Sequence, residues 1–328
     1  MYVVTGGAGF IGSNIAAAIE QRGLGKVVVC DRLREADKWR NVAKRELHNV
    51  VHPDDLFDYL GGNEYGIQGV VHMGAISSTT ETDADKIFTN NFRLSLDLWQ
   101  WCTAHHVPLI YASSAATYGD GAEGFADDTN LDVMARLKPL NPYGWSKHLF
   151  DRRVLRMLDD GEAKPPQWAG LKFFNVYGPN EYHKGSMQSV ASHVFTDLSA
   201  GKNATLFKSH HPDYEDGGQL RDFIWVEDCV DVVMWLLQNP AVSGLFNCGT
   251  GQARSFSDLV TAVYAAMGKE PDIAYVPTPE EIRDKYQYFT QADMSKLKAA
   301  GYDKPFTNVE DGVGAYVRDF LATDDRYR

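Results

Sequence analysis

Tyr143 and Lys147 stand four residues apart in Asn141-Pro142-Tyr143-Gly144-Trp145-Ser146-Lys147. On a helix that spacing puts both side chains on one face, one turn apart. Pro142 suits a first helical position and Asn141 its cap, so the local sequence predicts a helix opening here. An ammonium beside a phenol favours the phenolate, drawing a reference pKa of about 10 toward neutrality, where the group can act as a base. By itself Tyr-x-x-x-Lys is a common surface-helix string. Here it comes with two companions, Ser113-Ser114 upstream and a glycine pattern at the start of the chain.

That pattern is Gly6-x-x-Gly9-x-x-Gly12, set between the apolar run Tyr2-Val3-Val4-Thr5 and a helical spacing through Ile11, Ile15, Ala18 and Ile19. Such glycines let a backbone turn sharply, approach a pyrophosphate and pack a helix on a sheet, while the helix N-terminus offers amides to phosphate. Asp31 ends the second apolar run, Lys26–Cys30, where an acid bonds the adenosine ribose of NAD. Arg32, Arg34, Lys38 and Arg40 follow at once. As a cluster they suit a 2′-phosphate, so NADP is expected, with NAD the alternative. The serine pair lies in Tyr111–Gly119 after another apolar strand, and the carboxyl ends of such strands face the ligand crevice.

The elements that must position these groups alternate. Strands are expected at Gly69–His72, Val107–Tyr111 and Ala169–Phe174, and helices near Asp83–His105 and Pro142–Asp159. Near-continuous apolar strands alternating with helices predict a Rossmann-type, doubly wound α/β fold around a parallel sheet. The expected division is a cofactor domain over 1–175 and a mainly substrate-binding α/β lobe over 176–328. Elements near 221–250, among them Asp228–Gln238 and Leu245–Cys248, should return to the first domain. Helices near Met187–Ala200 and Ser257–Met267 belong to the lobe.

The 328 residues can bury a large core, and 44% hydrophobic with 23% charged residues is the balance of a globular chain. A net charge of −12 argues against nucleic acid or an anionic membrane as the main partner. Cys30, Cys102, Cys229 and Cys248 are scattered with no Cys-x-x-Cys pair, which disfavours zinc and disulfides. No apolar stretch reaches the roughly 18 residues of a membrane span, so a soluble cytoplasmic protein is expected. His210–Gly218 is a biased segment that reads as a solvated loop before a metal site; no metal is expected.

Together, the glycine pattern, Ser114 and the Tyr143/Lys147 pair resemble the extended short-chain dehydrogenase/reductase family. In that family the tyrosine is the acid/base, the lysine binds the nicotinamide ribose and acidifies the tyrosine, and the serine orients substrate. Further blocks narrow the likeness: Met73–Glu81, Phe174–Pro179, His183–Met187, Arg221-Asp222-Phe223 and Lys285–Asp293. From Met1 to about Phe306 they are similar to the branch of that family that epimerises ADP-glyceromanno-heptose at C6. The resemblance implies ADP-D-glycero-β-D-manno-heptose as substrate, in lipopolysaccharide inner-core synthesis. It maps cofactor contacts onto Phe10, Ile11, Asp31, Arg32, Lys38, Met73, Gly74, Ala75, Ile76, Ser77, Asn90, Lys147, Val176 and Lys184. Substrate contacts map onto Asn175, Ser186, His193, Phe207, Lys208, Ser209, His210, Arg221 and Tyr286. Lys184 falls on the second acid/base position, and a homo-oligomer is expected.

Inverting a secondary alcohol without a leaving group requires transient oxidation. Tyr143 would take the hydroxyl proton as C6 gives up hydride, leaving a planar 6-ketone open to hydride on either face. A second acid/base, Lys184, would serve the rotated pose; its competing explanation is phosphate or cofactor binding. Arg221 would fork the diphosphate, unless it is spent on an ion pair with Asp222. Two departures from the pattern stand out. Pro53 sits where a cofactor-contacting lysine is expected, and Pro212–Leu220 lengthens the loop before Arg221. The rivals are a UDP-hexose 4-epimerase, a 4,6-dehydratase and a non-catalytic NADP-binding scaffold. Ala115-Ala116, where a dehydratase carries an acidic pair, disfavours the second.

Overall fold

The computed structural model describes residues 1–34, 37–283 and 287–328. Seven apolar runs form one parallel sheet: β1 (Tyr2–Thr5), β2 (Val27–Cys30), β3 (Asn49–Val51), β4 (Gly69–His72), β5 (Leu109–Ser114), β6 (Trp168–Phe173) and β7 (Gly244–Cys248). Their order is β7-β6-β5-β4-β1-β2-β3, and every pairing is parallel. Val3, Val4, Val28, Val29, Val70, Val71, Leu109 and Ile110 are fully buried, as strands covered on both faces require. The chain winds outward in both directions from β1, so the crevice opens at the carboxyl ends of β1 and β4.

The covering helices include α1 (Phe10–Gln21), α2 (Leu94–Ala104), α3 (Pro142–Asp159) and, beside α1, α5 (Val226–Gln238). A second apolar cluster joins Tyr177, Val194, Leu198, Phe223, Trp225, Val263 and Tyr316. It is built from α4 (Val190–Ser199), α6 (Phe256–Ala266) and α7 (Val309–Tyr316), with Ala204–Phe207 paired to Ile273–Val276. Among the described residues no helix is long and apolar enough to cross a membrane. All four cysteines are buried and free of disulfides.

Three elements differ from the sequence expectation. β3 is too short and too polar at its start to announce itself. β5 runs on through Ser113 and Ser114, which pair with Lys172 and Phe173 of β6. Polar residues persist in this buried strand because their hydroxyls find partners, Ser113 Oγ donating to Asp151 at 2.6 Å. The helix expected over Asp83–His105 is interrupted: Ala84–Ile87 and α2 flank a wide π-type turn at Phe88–Arg93. That turn carries Asn91, whose side chain bonds outside its own helix.

Candidate active site

Asn141 caps α3 by accepting from Gly144 N at 2.8 Å, so the helix starts where Pro142 predicts. Gly144 has no room for a side chain, because a Cβ there would stand 2.7 Å from the Ala116 carbonyl oxygen. This close approach sets the first turn of α3 against the turn at Ala115–Tyr118 and brings Tyr143 to Ser114. Lys147, one turn on, is buried and donates to the Ala112 carbonyl at 2.7 Å. The three residues named from sequence therefore converge at the end of β5.

Their electrostatics correct one expectation. Spacing alone predicts a Tyr143 drawn toward neutrality, but burial pushes its phenol up from the usual value, and a hydrogen bond with Ser114 only partly opposes this. Desolvation sets the direction here, because a buried phenol loses more by ionising than the Ser114 bond returns. Lys147 is lowered to about 8 by burial, with Asp151 working against the shift.

The glycine loop fits a nucleotide. Gly9 leaves the first turn of α1 without a side-chain cap, so its amides stay available to phosphate. A Cβ on Gly12 would lie 2.2 Å from the Gly6 carbonyl oxygen, which is how closely helix and loop meet. Asp31 accepts from Ala8 N at 3.0 Å and from Lys38 Nζ at 2.5 Å. Of the other cations, Arg32 pairs with Asp54 at 2.6 Å, Arg40 lies over Trp39 and Tyr327, and Arg34 is exposed. Gly74 N donates to Thr5 Oγ1 at 3.2 Å, holding the Met73–Ser77 loop at the crevice. Asn90 bonds back to the Lys86 carbonyl.

Lys184 lies 5.1 Å over the Phe10 ring, at the head of α1. Burial lowers its pKa from the ordinary lysine value, and Glu181 acts the other way. Its loop is tied down by residues the sequence did not single out. Asn180, at φ 72°, donates to Ser13 Oγ at 3.0 Å and accepts from Asn41 Nδ2 at 3.0 Å. Glu181 accepts from Ser189 N at 2.6 Å and from the Tyr316 hydroxyl at 3.0 Å. Asn91 clamps Ile76 through its N–H and C=O, at 2.8 and 3.0 Å, and donates to Ser146 Oγ at 3.0 Å, joining the Met73–Ser77 loop to α3. The one sequence clue to Asn180 is its place after Pro179, since asparagine tolerates a positive φ.

The substrate-side residues are less concentrated. Val176 is half-buried beside exposed Asn175, whose N–H donates to the Asp222 carbonyl at 3.0 Å. Arg221 is buried, donates to the carbonyls of Leu220 (2.8 Å) and Gln287, and lies over Phe256 at 5.6 Å. Asp222 is not its counter-ion: that carboxylate accepts from Thr250 N and Oγ1, both at 2.7 Å, and from Gly251 N and Ala292 N. Gln287 also donates to the Gly119 carbonyl at 2.9 Å, connecting the Arg221 side to the serine turn.

Ser186, His193, Lys208 and His210 are exposed and Phe207 is half-buried. Ser209 N donates to Asp216 at 2.8 Å, which closes the loop on itself, and His210 N donates to the hydroxyl of the distant Tyr288 at 2.9 Å. Among the described residues no hydrogen bond joins His193 to the Ser114–Tyr143 group, and no cluster of metal-ligating side chains forms. Tyr286 lies outside the described residues.

A family model described as the NAD dependent epimerase/dehydratase family matches residues 2–249. A protein of Nitratidesulfovibrio vulgaris (strain DP4) named ADP-L-glycero-D-manno-heptose-6-epimerase is 51% identical over 329 residues, 100% of each chain. The crystal structure of Helicobacter pylori ADP-L-glycero-D-manno-heptose-6-epimerase superposes with a TM-score of 0.79 at 26% identity, covering 98% of this chain and 96% of that one. The UDP-glucose 4-epimerase of Thermus thermophilus, in complex with NAD, superposes with a TM-score of 0.74 at 26% identity, covering 96% and 97%.

Proposed function

From the premise that the chain belongs to the NAD dependent epimerase/dehydratase family, we propose that it inverts C6 of ADP-D-glycero-β-D-manno-heptose to give the L-glycero epimer. It is a nicotinamide-dependent enzyme of lipopolysaccharide inner-core heptose synthesis. The observation that carries the substrate is the 51% identity, end to end, with a protein named for that epimerisation. The chemistry rests on Ser114, Tyr143 and Lys147 meeting at the end of β5.

A bound nicotinamide dinucleotide supplies a reversible hydride acceptor. Tyr143 exchanges the proton of the C6 hydroxyl, and Ser114 orients that oxygen. Lys147 holds a positive charge beside the phenol, which lowers the cost of its anion. Once the planar ketone has turned, Lys184 exchanges the proton in the new pose, and burial suits it by bringing its pKa down. Arg221 anchors the diphosphate after giving up backbone carbonyls. Residues 1–175 and 221–250 carry the cofactor, and 176–328 mainly the sugar. Leu140 and Trp145, exposed at the start of α3, support pairing of copies through that helix. The likeness to enzymes named for nucleotide-sugar epimerisation supports a cytoplasmic site of action.

The preferred cofactor is NADP. Lys38 cancels the charge of Asp31, which would otherwise repel a 2′-phosphate, and Arg32 stands next to it. Titrating the cofactor-free protein by tryptophan fluorescence should give tighter binding of NADP than of NAD. Lys38→Ala with Arg32→Ala should weaken NADP about tenfold or more while leaving NAD within about threefold. Equal affinities in the native protein would reverse the assignment.

The direct test incubates protein with ADP-D-glycero-β-D-manno-heptose and follows the C6 epimers by proton NMR, beside tubes of UDP-glucose and UDP-galactose. Approach to a mixture of heptose epimers is expected. Turnover of a UDP-hexose with silence on the heptose would make it a hexose 4-epimerase; silence on all three, with NADP and then NAD added, would leave a binding scaffold.

A further inference from the structure

Beneath the site lies an ion pair that the proposed chemistry does not use. Lys172 Nζ of β6 stands 2.9 Å from Asp151 Oδ2 of α3, and both side chains are 0% exposed. A buried pair is a poor stabiliser, since desolvating two charges consumes most of what their attraction returns. Apolar residues of the same volume would pack this position about as well, so stability alone does not account for it.

Its contacts lead to the reacting groups. Tyr143, Lys147 and Asp151 succeed one another at four-residue spacing, one row along one face of α3. β5 faces that row residue by residue. Tyr111 donates to Asp151 Oδ1 at 3.2 Å, Ala112 accepts from Lys147 at 2.7 Å, and Ser113 donates to Asp151 Oδ2 at 2.6 Å. Ser114 is held from beyond, its carbonyl accepting from Thr117 Oγ1 at 2.8 Å, and Thr117 in turn accepts from Lys172 at 2.7 Å.

We propose that the Asp151–Lys172 pair is a positioning device for this site, locking the Ser113–Ser114 strand end to the Tyr143–Lys147 helix and supplying the counter-charge for Lys147. The proposal rests on the acid/base reading of Tyr143 and Lys147. The other groups facing the pair are neutral near pH 7. Tyr111 and Tyr118 are pushed well up by burial, His148 is pushed down to about 4 and His72 to about 3. The next charges out are Asp127 and Asp293 beyond Tyr118, Arg152 near His148, and Lys296, which feels the charge of Lys172 and donates to the Asp127 carbonyl at 3.0 Å. Asp151 is thus the anion that works against the desolvation of Lys147.

The sign follows. Lys147 loses its charge as pH rises through about 8, and turnover should fall with it. Asp151→Asn removes the opposing anion, so the lysine titration and the alkaline limb of kcat both move to lower pH. Lys172→Met leaves Asp151 unpaired, so both move to higher pH. The test follows Lys147 by NMR in protein carrying 13C at the lysine ε-carbon, without substrate, its signal assigned by its loss in Lys147→Met. Tm and the kcat and KM of each folded variant are measured alongside.

Asp151→Asn should lower kcat at pH 8 about tenfold or more, with KM within about twofold. Asp151→Glu should recover part of the shift. Ser113→Ala, a milder change, should lower kcat severalfold and leave the lysine titration in place. A Lys147 titration unmoved in Asp151→Asn, or an unfolded Asp151→Asn together with native kcat in Ser113→Ala, reduces the pair to core packing and overturns the proposal. The NMR shift needs no heptose, so a wrong substrate would silence turnover in the native protein and leave the titration result standing.

Discussion

Tyr143→Phe should lose at least about 10³ in kcat for heptose epimerisation, near the upper part of the range for one acid/base group. It should keep its Tm within a few degrees and its affinity for NADP. The ring is retained, α3 is capped by Asn141 rather than by Tyr143, and the close approach of the neighbouring Gly144 to Ala116 is untouched. What goes is one hydroxyl, which bonds Ser114 and which the proposed chemistry uses to exchange a proton at the C6 oxygen. Burial holds that phenol above its usual pKa, so in the structure as it stands the group is a neutral acid at pH 7. Its service as a base depends on positive charge close by, which Lys147 provides. Accordingly Lys147→Met should also be severe, and Ser114→Ala milder. Proton NMR of the epimer mixture, with circular dichroism and fluorescence titration on the same sample, checks the result. Turnover within tenfold of native in Tyr143→Phe would remove Tyr143 from the reaction.

The candidate acid/base groups were legible in sequence because each is announced by local grammar. Asn141-Pro142 marks a helix start, four-residue spacing fixes a face, and the glycines require backbone contact. The parallel sheet was equally plain, since strands buried on both faces are written as continuous valine runs. What escaped was whatever depends on a distant partner. Asp151 looks like an exposed helix acid until β6 delivers Lys172 to it. Asn91 looks like Asn90, and only the wide turn before α2 tells them apart, turning one toward its own helix and the other toward Ile76 and Ser146. The direction of the Tyr143 shift was misread for a related reason: spacing gives the neighbour of a charge, and burial, which decided the sign, belongs to the fold.

Lys184 has two competing uses, and they leave different traces. As the second acid/base it must gain and lose a proton near neutral pH; as a phosphate ligand it need only stay charged. Its place over Phe10 at the head of α1 is compatible with either, but its lowered pKa favours the first, because desolvation that weakens a charge is poor design for an anion clamp. Lys184→Met should therefore cut kcat about 10²-fold at saturating NADP, with KM for the heptose within about threefold. The decisive variant is Lys184→Arg. A guanidinium keeps its positive charge and grips phosphate well, but does not give up a proton at working pH. It should restore whatever NADP affinity the methionine variant loses and leave kcat depressed. Recovery of kcat in Lys184→Arg would make Lys184 a clamp, and the second proton would then have to come from another group. The loop that carries it speaks for the first outcome. Asn180, Glu181, Asn41 and Ser189 tie down its backbone on both sides of Lys184, the rigidity a proton-transfer geometry needs and a point charge does not.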